Sequence, residues 1–278
     1  MVSLFRFFIY SNLFIAICAL LMVNQTYELL LQTPHNQYLF GFIFSATICS
    51  YSFHWWLTSQ SLVESPRIEW LRKHRIFHLI LFFIGLSGAI IFFFFLSSHW
   101  LLLLIAAITT FLYSAPKIPH PYFKALRKIA VGKTIFLALV WMYVTTMLPV
   151  LFAEVRWTAP IILFVISRFF FIYAICIMFD FRDRADDKSV GIRSMVTLFS
   201  EKGVDRLFFF SLLIYLLCTI LLLRYNFSLL EITLLLIPGF IAASIYEYAK
   251  RHFSDYLYYF ILDGLMMFSA FLMLIIRV

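Results

Sequence analysis

The chain has 278 residues, of which 64% are hydrophobic and 13% charged. A soluble domain carries roughly 25% charged residues because its outside must meet water, so this composition excludes a soluble globular fold. The formal net charge of +8 sits in short stretches between long apolar runs. That pattern fits membrane topology and anionic lipid or diphosphate groups, and it argues against a nucleic-acid partner.

A membrane-crossing helix needs about 20 mostly apolar residues. Nine runs qualify in chain order: 4–23, 37–58, 76–96, 98–114, 134–152, 158–180, 205–223, 228–248 and 256–276. Arg6 before an apolar run has the outline of a secretion signal, but no small-residue cleavage site follows and the run is long, so it is read as a membrane helix. The third and fourth runs are nearly continuous, and a tight turn is expected at Ser97-Ser98-His99. With nine spans, 18 basic residues fall on one side and only Arg156, Arg224 and Arg277 on the other, with Arg168 inside a span. This asymmetry places the N-terminus in the cytoplasm and the C-terminus outside. The long inner segments 59–75, 115–133 and 181–204 are polar enough to form a small cap over the cytoplasmic mouth. The expected fold is an all-α integral membrane protein, one domain over 1–278, and the compact layout fits a bacterial cell membrane. Cys18, Cys49, Cys176 and Cys218 all lie in apolar runs and read as packing residues, without disulfides or metal ligation.

The sixth run ends in the one chemically loaded segment, from Asp180 to Ser194. On a helix, Asp183 lies about 60° and Asp187 about 20° from Asp180, so the three carboxylates share one face, whereas Asp186 lies about 120° away. Carboxylates stacked this way repel unless a cation lies between them, and a hard dication such as Mg²⁺ commonly bridges them to a phosphate. The plainer reading is a solvated helix end whose acids pair with Arg182, Arg184 and Lys188. Against it, four of the chain's seven aspartates fall between 180 and 187 at a membrane interface, a depth at which ionisable groups are costly.

The spacing Asp180-x-x-Asp183-x-x-x-Asp187-x-x-x-Gly191-x-Arg193-Ser194 resembles the second aspartate-rich motif of the UbiA superfamily of intramembrane prenyltransferases. Leu112-Tyr113-Ser114-Ala115-Pro116-Lys117, followed by basic residues from Lys124 to Lys128, is similar to that family's tyrosine loop after the fourth helix. The resemblance implies nine helices around a central lipid-accessible cavity. It implies a polyprenyl diphosphate donor, a hydrophobic acceptor, and Mg²⁺ held by Asp180, Asp183 and Asp187. The candidate diphosphate-binding residues are Tyr113 of that loop and the inner cations Arg72, Lys73, Arg75, Lys124, Arg127, Lys128 and Arg193, arginine being suited to bidentate phosphate contacts.

The family's first motif, N-x-x-x-D-x-x-x-D at the end of the second span, is absent. Ser52, Trp56 and Gln60 stand at its positions, no Asp precedes Asp180, and the nearest acids are Glu64 and Glu69. Ser52, His54, Trp56 and Gln60 are therefore the candidate remnant of that half-site. Two functions follow: a transferase working from one carboxylate cluster aided by cations, or a lipid-binding or partner-binding protein that has lost diphosphate ionisation. His54 also reads as a hydrogen-bonded interfacial histidine. Asp263, inside the last run, is expected to face the bundle or its cavity, with Arg168 as the candidate partner. Glu247 reads as interfacial, and Trp55, Trp56, Trp70, Tyr113 and Tyr122 as interface anchors. A CDP-alcohol phosphotransferase is excluded because no Ala-Arg pair follows Asp183. A transporter is disfavoured because the polar groups gather at the inner ends of the runs.

Overall fold

The computed structural model describes residues 2–58, 65–115, 118, 120, 133–190 and 195–276, with backbone alone for 2, 3, 185–190, 195 and 197. All regular structure among the described residues is helical. In chain order the helices are α1 Val2–Tyr10, α2 Leu13–Leu31, α3 Gln37–Thr58, α4 Pro66–Lys73, α5 Arg75–Phe95 and α6 Trp100–Ser114. They continue as α7 Lys133–Phe152, α8 Ala159–Val190, α9 Met195–Leu198, α10 Glu201–Leu221, α11 Leu229–Ala249 and α12 Leu257–Ile276. The expected break between the third and fourth runs is a short 3₁₀ turn, Ser97–His99.

Among the described residues eight helices are long and apolar enough to cross a membrane: α2, α5, α6 with its 3₁₀ turn, α7, α8, α10, α11 and α12. The protein is an integral membrane protein. Helix α3 spans 22 residues, but its serines, His54, Trp55 and Trp56 dilute its apolar content, and it is not among the eight.

Packing joins these helices into a ring. Helix α2 packs on α3, α3 on α5 and α6, α6 on α7, and α7 on α8. Helix α8 packs on α10, α10 on α11, and α11 on α12, which returns to α2. Helices α2 and α8 are the most enclosed, with 61% and 67% of their apolar 18-residue stretches buried, against only 11% and 17% for α5 and α6. The outward residues of α5 and α6 are apolar, as a lipid-facing wall requires.

The closest helix contact, between α3 and α5, depends on glycine. A Cβ on Gly85 would lie 2.6 Å from the Cys49 backbone nitrogen and 2.8 Å from the Ser45 carbonyl oxygen. Small residues on both helices let the backbones touch, which is how membrane helices gain packing energy where lipid offers no hydrophobic contrast.

The first apolar run is divided differently from the expected 4–23. Its helix breaks at Ser11-Asn12, where Asn12 takes a left-handed φ of 66°, and the long helix starts at Leu13. Neither glycine nor proline marks the break; the Asn12 side chain compensates it through tertiary hydrogen bonds to Ser52 and Arg67. Of the inner segments expected to form a cap, α4 and α9 are described. The four cysteines are free thiols.

Candidate functional site

The ring encloses a cavity of about 1520 Å³, beyond the ~300–1,000 Å³ typical of a small-molecule pocket. On α7 its lining runs from Lys133 to Leu148, about 22 Å of helix. Phe42, Phe93, Leu103 and Leu148 line its apolar length, and Lys133, Asp180, Arg182, Asp183 and Arg67 gather at the other end.

Helix α8 continues unbroken from Ala159 to Val190, so Asp180, Asp183 and Asp187 do belong to one helix, as the spacing requires. Asp180 is buried and accepts a hydrogen bond from the Thr134 hydroxyl at 2.5 Å. Asp183 Oδ1 accepts two hydrogen bonds from Arg182, from Nε at 2.9 Å and Nη2 at 2.6 Å, and its Oδ2 accepts one from Lys133 Nζ at 3.2 Å. Consecutive residues of α7, Lys133 and Thr134, thus reach successive carboxylates on α8. Among the described residues, Arg182 and Lys133 pair with Asp183, and Arg184 is exposed at the cavity rim. Lys133 and Thr134 were not singled out from the sequence, where they are only the polar start of an apolar run.

The donor chemistry of Asp180 and Asp183, hard oxygens one turn apart, suits Mg²⁺. The Lys133 ammonium lies 3.2 Å from Asp183 Oδ2. Among the described residues there is no group of three or more His, Cys, Asp or Glu side chains arranged around a metal-sized space. The Asp187 side chain lies outside the described residues.

At the positions of the absent first motif the structure places a polar network. Ser52 is fully buried and accepts a hydrogen bond from Asn12 Nδ2 at 3.3 Å. The Asn12 Oδ1 in turn accepts one from Arg67 Nη2 at 3.0 Å. His54 lies 3.2 Å from Ser114 Oγ and stacks on Tyr113 with ring centres 5.2 Å apart. All of His54, Tyr113 and Ser114 line the cavity, and Tyr113 is within electrostatic reach of Lys133 and Asp183. Trp56 instead faces Arg75, whose guanidinium sits 5.0 Å from its ring centre.

Arg67 opens α4 directly after Pro66, with Ser65 capping the helix through the Ile68 N–H. Its backbone N–H donates to Asp255 Oδ2 at 2.8 Å, and the Tyr10 hydroxyl donates to the same oxygen at 3.0 Å. Burial, and then the Asp255 charge, push the Tyr10 hydroxyl above the usual phenol range. Burial pulls the Arg67 guanidinium below its ordinary value, with Tyr259, Asp263 and Asp255 opposing the shift. It stays charged, because an arginine starts so far above neutrality.

Asp263 lines the cavity within reach of the charges of Arg67 and Arg182. It follows a π-helical turn, Leu257–Leu262, that carries Tyr258 and Tyr259. The expected Asp263–Arg168 pair does not form. Arg168 donates from Nη2 to Gln25 Oε1 at 2.6 Å and from Nη1 to the Met22 carbonyl at 3.2 Å. Depth is the reason: Arg168 and Arg182 are on one helix about 21 Å apart along its axis, and Asp263 keeps company with Arg182.

Arg72, Lys73 and Arg75 are exposed and do not line the cavity; Arg67, from the same segment, does. Gln60, Glu64, Lys124, Arg127, Lys128 and Arg193 lie outside the described residues.

A ring of membrane helices around a long apolar cavity, with acids and cations at one mouth, defines a membrane-embedded protein with an internal amphipathic cavity. The sequence matches the profile of the UbiA prenyltransferase family over residues 58–272, and the chain belongs to that family. The match begins at the last residue of α3, past the Ser52 and Trp56 positions of the first motif. No curated protein and no solved structure matches the chain.

Proposed function

We propose that this protein transfers a polyprenyl group from a prenyl diphosphate to an aromatic or lipid acceptor. The observation that carries the reading is the division of one cavity into a long apolar barrel and a charged mouth built on Asp180 and Asp183. Asp180, Asp183 and Asp187 would hold Mg²⁺, which supplies charge neutralisation for the departing diphosphate. Thr134 fixes one oxygen of Asp180 and so orients the other. Lys133 and Arg182, which satisfy Asp183 in the free protein, are placed to turn their N–H groups to phosphate oxygens when the donor enters. The apolar barrel holds the prenyl chain and excludes water from the allylic cation. Trp141 lines the cavity, and its ring can stabilise a nearby cation by about 0.5–2 kcal/mol. In this reading nine helices span the membrane, α3 included, and the charged mouth is cytoplasmic, the side on which the basic residues accumulate.

The second reading, a lipid-binding member without ionisation chemistry, draws on one observation: both Asp183 oxygens are already matched by cations. Purified protein in nanodiscs, given labelled polyprenyl diphosphates, a panel of aromatic and lipid acceptors and Mg²⁺, separates the two. Diphosphate release that falls at least 100-fold in Asp183→Ala supports the transferase. Lipid binding with no release from any donor and acceptor pair establishes the second reading instead.

A further inference from the structure

The network that starts at Ser52, one position of the absent first motif, ends in a cation. Ser52 leads to Asn12, and Asn12 leads to the Arg67 guanidinium. Arg67 is 3% exposed. Its guanidinium lies between two rings, 3.8 Å from the centre of Trp55 and 4.0 Å from that of Tyr259, with Tyr10 at 5.3 Å. Nε is buried without a hydrogen-bond partner among the described residues, and no carboxylate there lies within ion-pair distance of the side chain. Facing it, Arg182 lies 4.6 Å from the same Tyr259 ring, and its Nη1 is likewise buried and unpartnered. Two guanidinium groups thus share one tyrosine, each with an unused N–H, and both line the cavity beside Asp183.

Among the described residues, burial of the Arg67 cation is offset only by charges beyond ion-pair distance, those of Asp263 and Asp255, and so is unfavourable. A purely structural staple at this point would be cheaper as an apolar or neutral side chain packed among Trp55, Tyr10 and Tyr259. The aromatic sandwich instead locks the guanidinium plane and keeps water from screening it, the condition under which a fixed cation binds a multiply charged anion best.

We propose that Arg67 takes over the role of the missing first metal half-site, so that the diphosphate is gripped between the carboxylate wall of α8 and a metal-free guanidinium wall formed by Arg67 with Arg182. The proposal rests on the preceding reading that the ligand is a prenyl diphosphate. Its consequence is a site that retains affinity for the diphosphate group when no divalent ion is present. In the absence of metal, Asp180, Asp183 and Asp263 oppose the anion, while Arg67, Arg182 and Lys133 attract it.

The test is calorimetric binding of inorganic diphosphate to full-length protein in phosphatidylcholine nanodiscs, which carry no anionic headgroup, with EDTA and again with Mg²⁺. Wild type is expected to bind in EDTA. Arg67→Lys, which keeps the charge but loses the fork, should bind at least 10-fold more weakly in both conditions, and Arg67→Gln more weakly still. Asp183→Ala should bind as well as wild type or better in EDTA, yet more weakly in Mg²⁺; a structural role for Arg67 alone would not produce that crossover. Wild type that binds no diphosphate in EDTA overturns the proposal without any variant, as does a monodisperse Arg67→Lys protein that binds like wild type. Binding that depends on Arg67 but is abolished by including phosphatidylserine in the nanodisc overturns it too, by assigning the site to lipid headgroups. The prenyl-transfer assay keeps the two readings apart. Transfer by wild type with unchanged KM for the prenyl diphosphate in Arg67→Lys sinks this inference and leaves the transferase standing. Arg67-dependent diphosphate binding with no transfer from any donor supports the guanidinium wall and removes the transferase reading.

Discussion

Replacing Gly85 with alanine adds one methyl group at the tightest contact between α3 and α5. The new Cβ would stand 2.6 Å from the Cys49 nitrogen, and ordinary contact begins near 3.4 Å, so the helices must part by about 0.8 Å. The opposing atoms are backbone, which cannot rotate aside as a side chain can. Overpacking of this kind costs about 1–3 kcal/mol, and a chain of this size loses roughly 2–4 °C of Tm per kcal/mol. The expected fall is therefore several degrees in a fluorescence-detected unfolding series in mild detergent. Gly203→Ala is the matched control. Its Cβ would meet the Ser200 hydroxyl oxygen at 3.4 Å and nothing closer, and it lies in the first turn of α10. There the change should raise stability slightly, by up to about 1 kcal/mol, because alanine favours the helix. Equal effects from the two substitutions would refute the claim that α3 and α5 touch through their backbones.

The Lys250 ammonium, 5% exposed, lies 2.9 Å from Glu201, 2.8 Å from Asp205 and 3.3 Å from Glu247 and ties α10 to α11. Burial lowers its affinity for the proton, but hydrogen bonds to Asp205 and Glu201 outweigh that and hold it above the ordinary lysine value of 10.5. The stabilisation is thus complete below pH 10.5 and is lost as pH rises beyond it. Wild type should lose Tm more steeply than Lys250→Met across that alkaline range, measured by thermal melts at stepped pH. At the other end of the bundle, Gln25→Leu strips Arg168 of its side-chain acceptor. An uncompensated buried charge costs about 3–5 kcal/mol, so the single variant should aggregate on extraction, and the double variant Gln25→Leu, Arg168→Leu should recover a monodisperse peak by size-exclusion chromatography. A double variant no better than the single would show that Gln25 matters for something other than that charge.

The reach of the sequence depended on whether a residue's role was set along one helix or between several. Asp180 and Asp183 were legible because helical spacing alone puts them on one face, and α8 supplied the unbroken helix. The Ser97–His99 turn was legible because one span cannot absorb both apolar runs. Asn12 was not, since a left-handed asparagine inside an apolar run has no local marker; its cost is met by Ser52 and Arg67, distant in the chain. Arg67 was passed over for the same reason. After Pro66 it reads as a solvated helix start, and only α1, α3 and α12 together make its aromatic enclosure. Arg72, Lys73 and Arg75 carried equal charge in the same segment, and nothing in their spacing tells which cation turns inward. The pairing of Asp263 with Arg168 failed because composition reveals that two charges lie within the bilayer, but not at which depth.

The return of α12 to α2 makes the ring a clasp whose two halves are far apart in synthesis. Gln25 of α2 holds Arg168 of α8 on one side and Ser269 of α12, at 3.0 Å, on the other. Tyr10 and the Arg67 backbone likewise wait for Asp255, just ahead of α12. Without α12 the ring would stay open between α11 and α2, and the Lys133, Arg182 and Asp183 cluster on α7 and α8 would lack Tyr259 and Asp263 beside it. The docking of α12 closes the cavity, seats Arg67 against Tyr259 and brings Asp263 to the cavity wall.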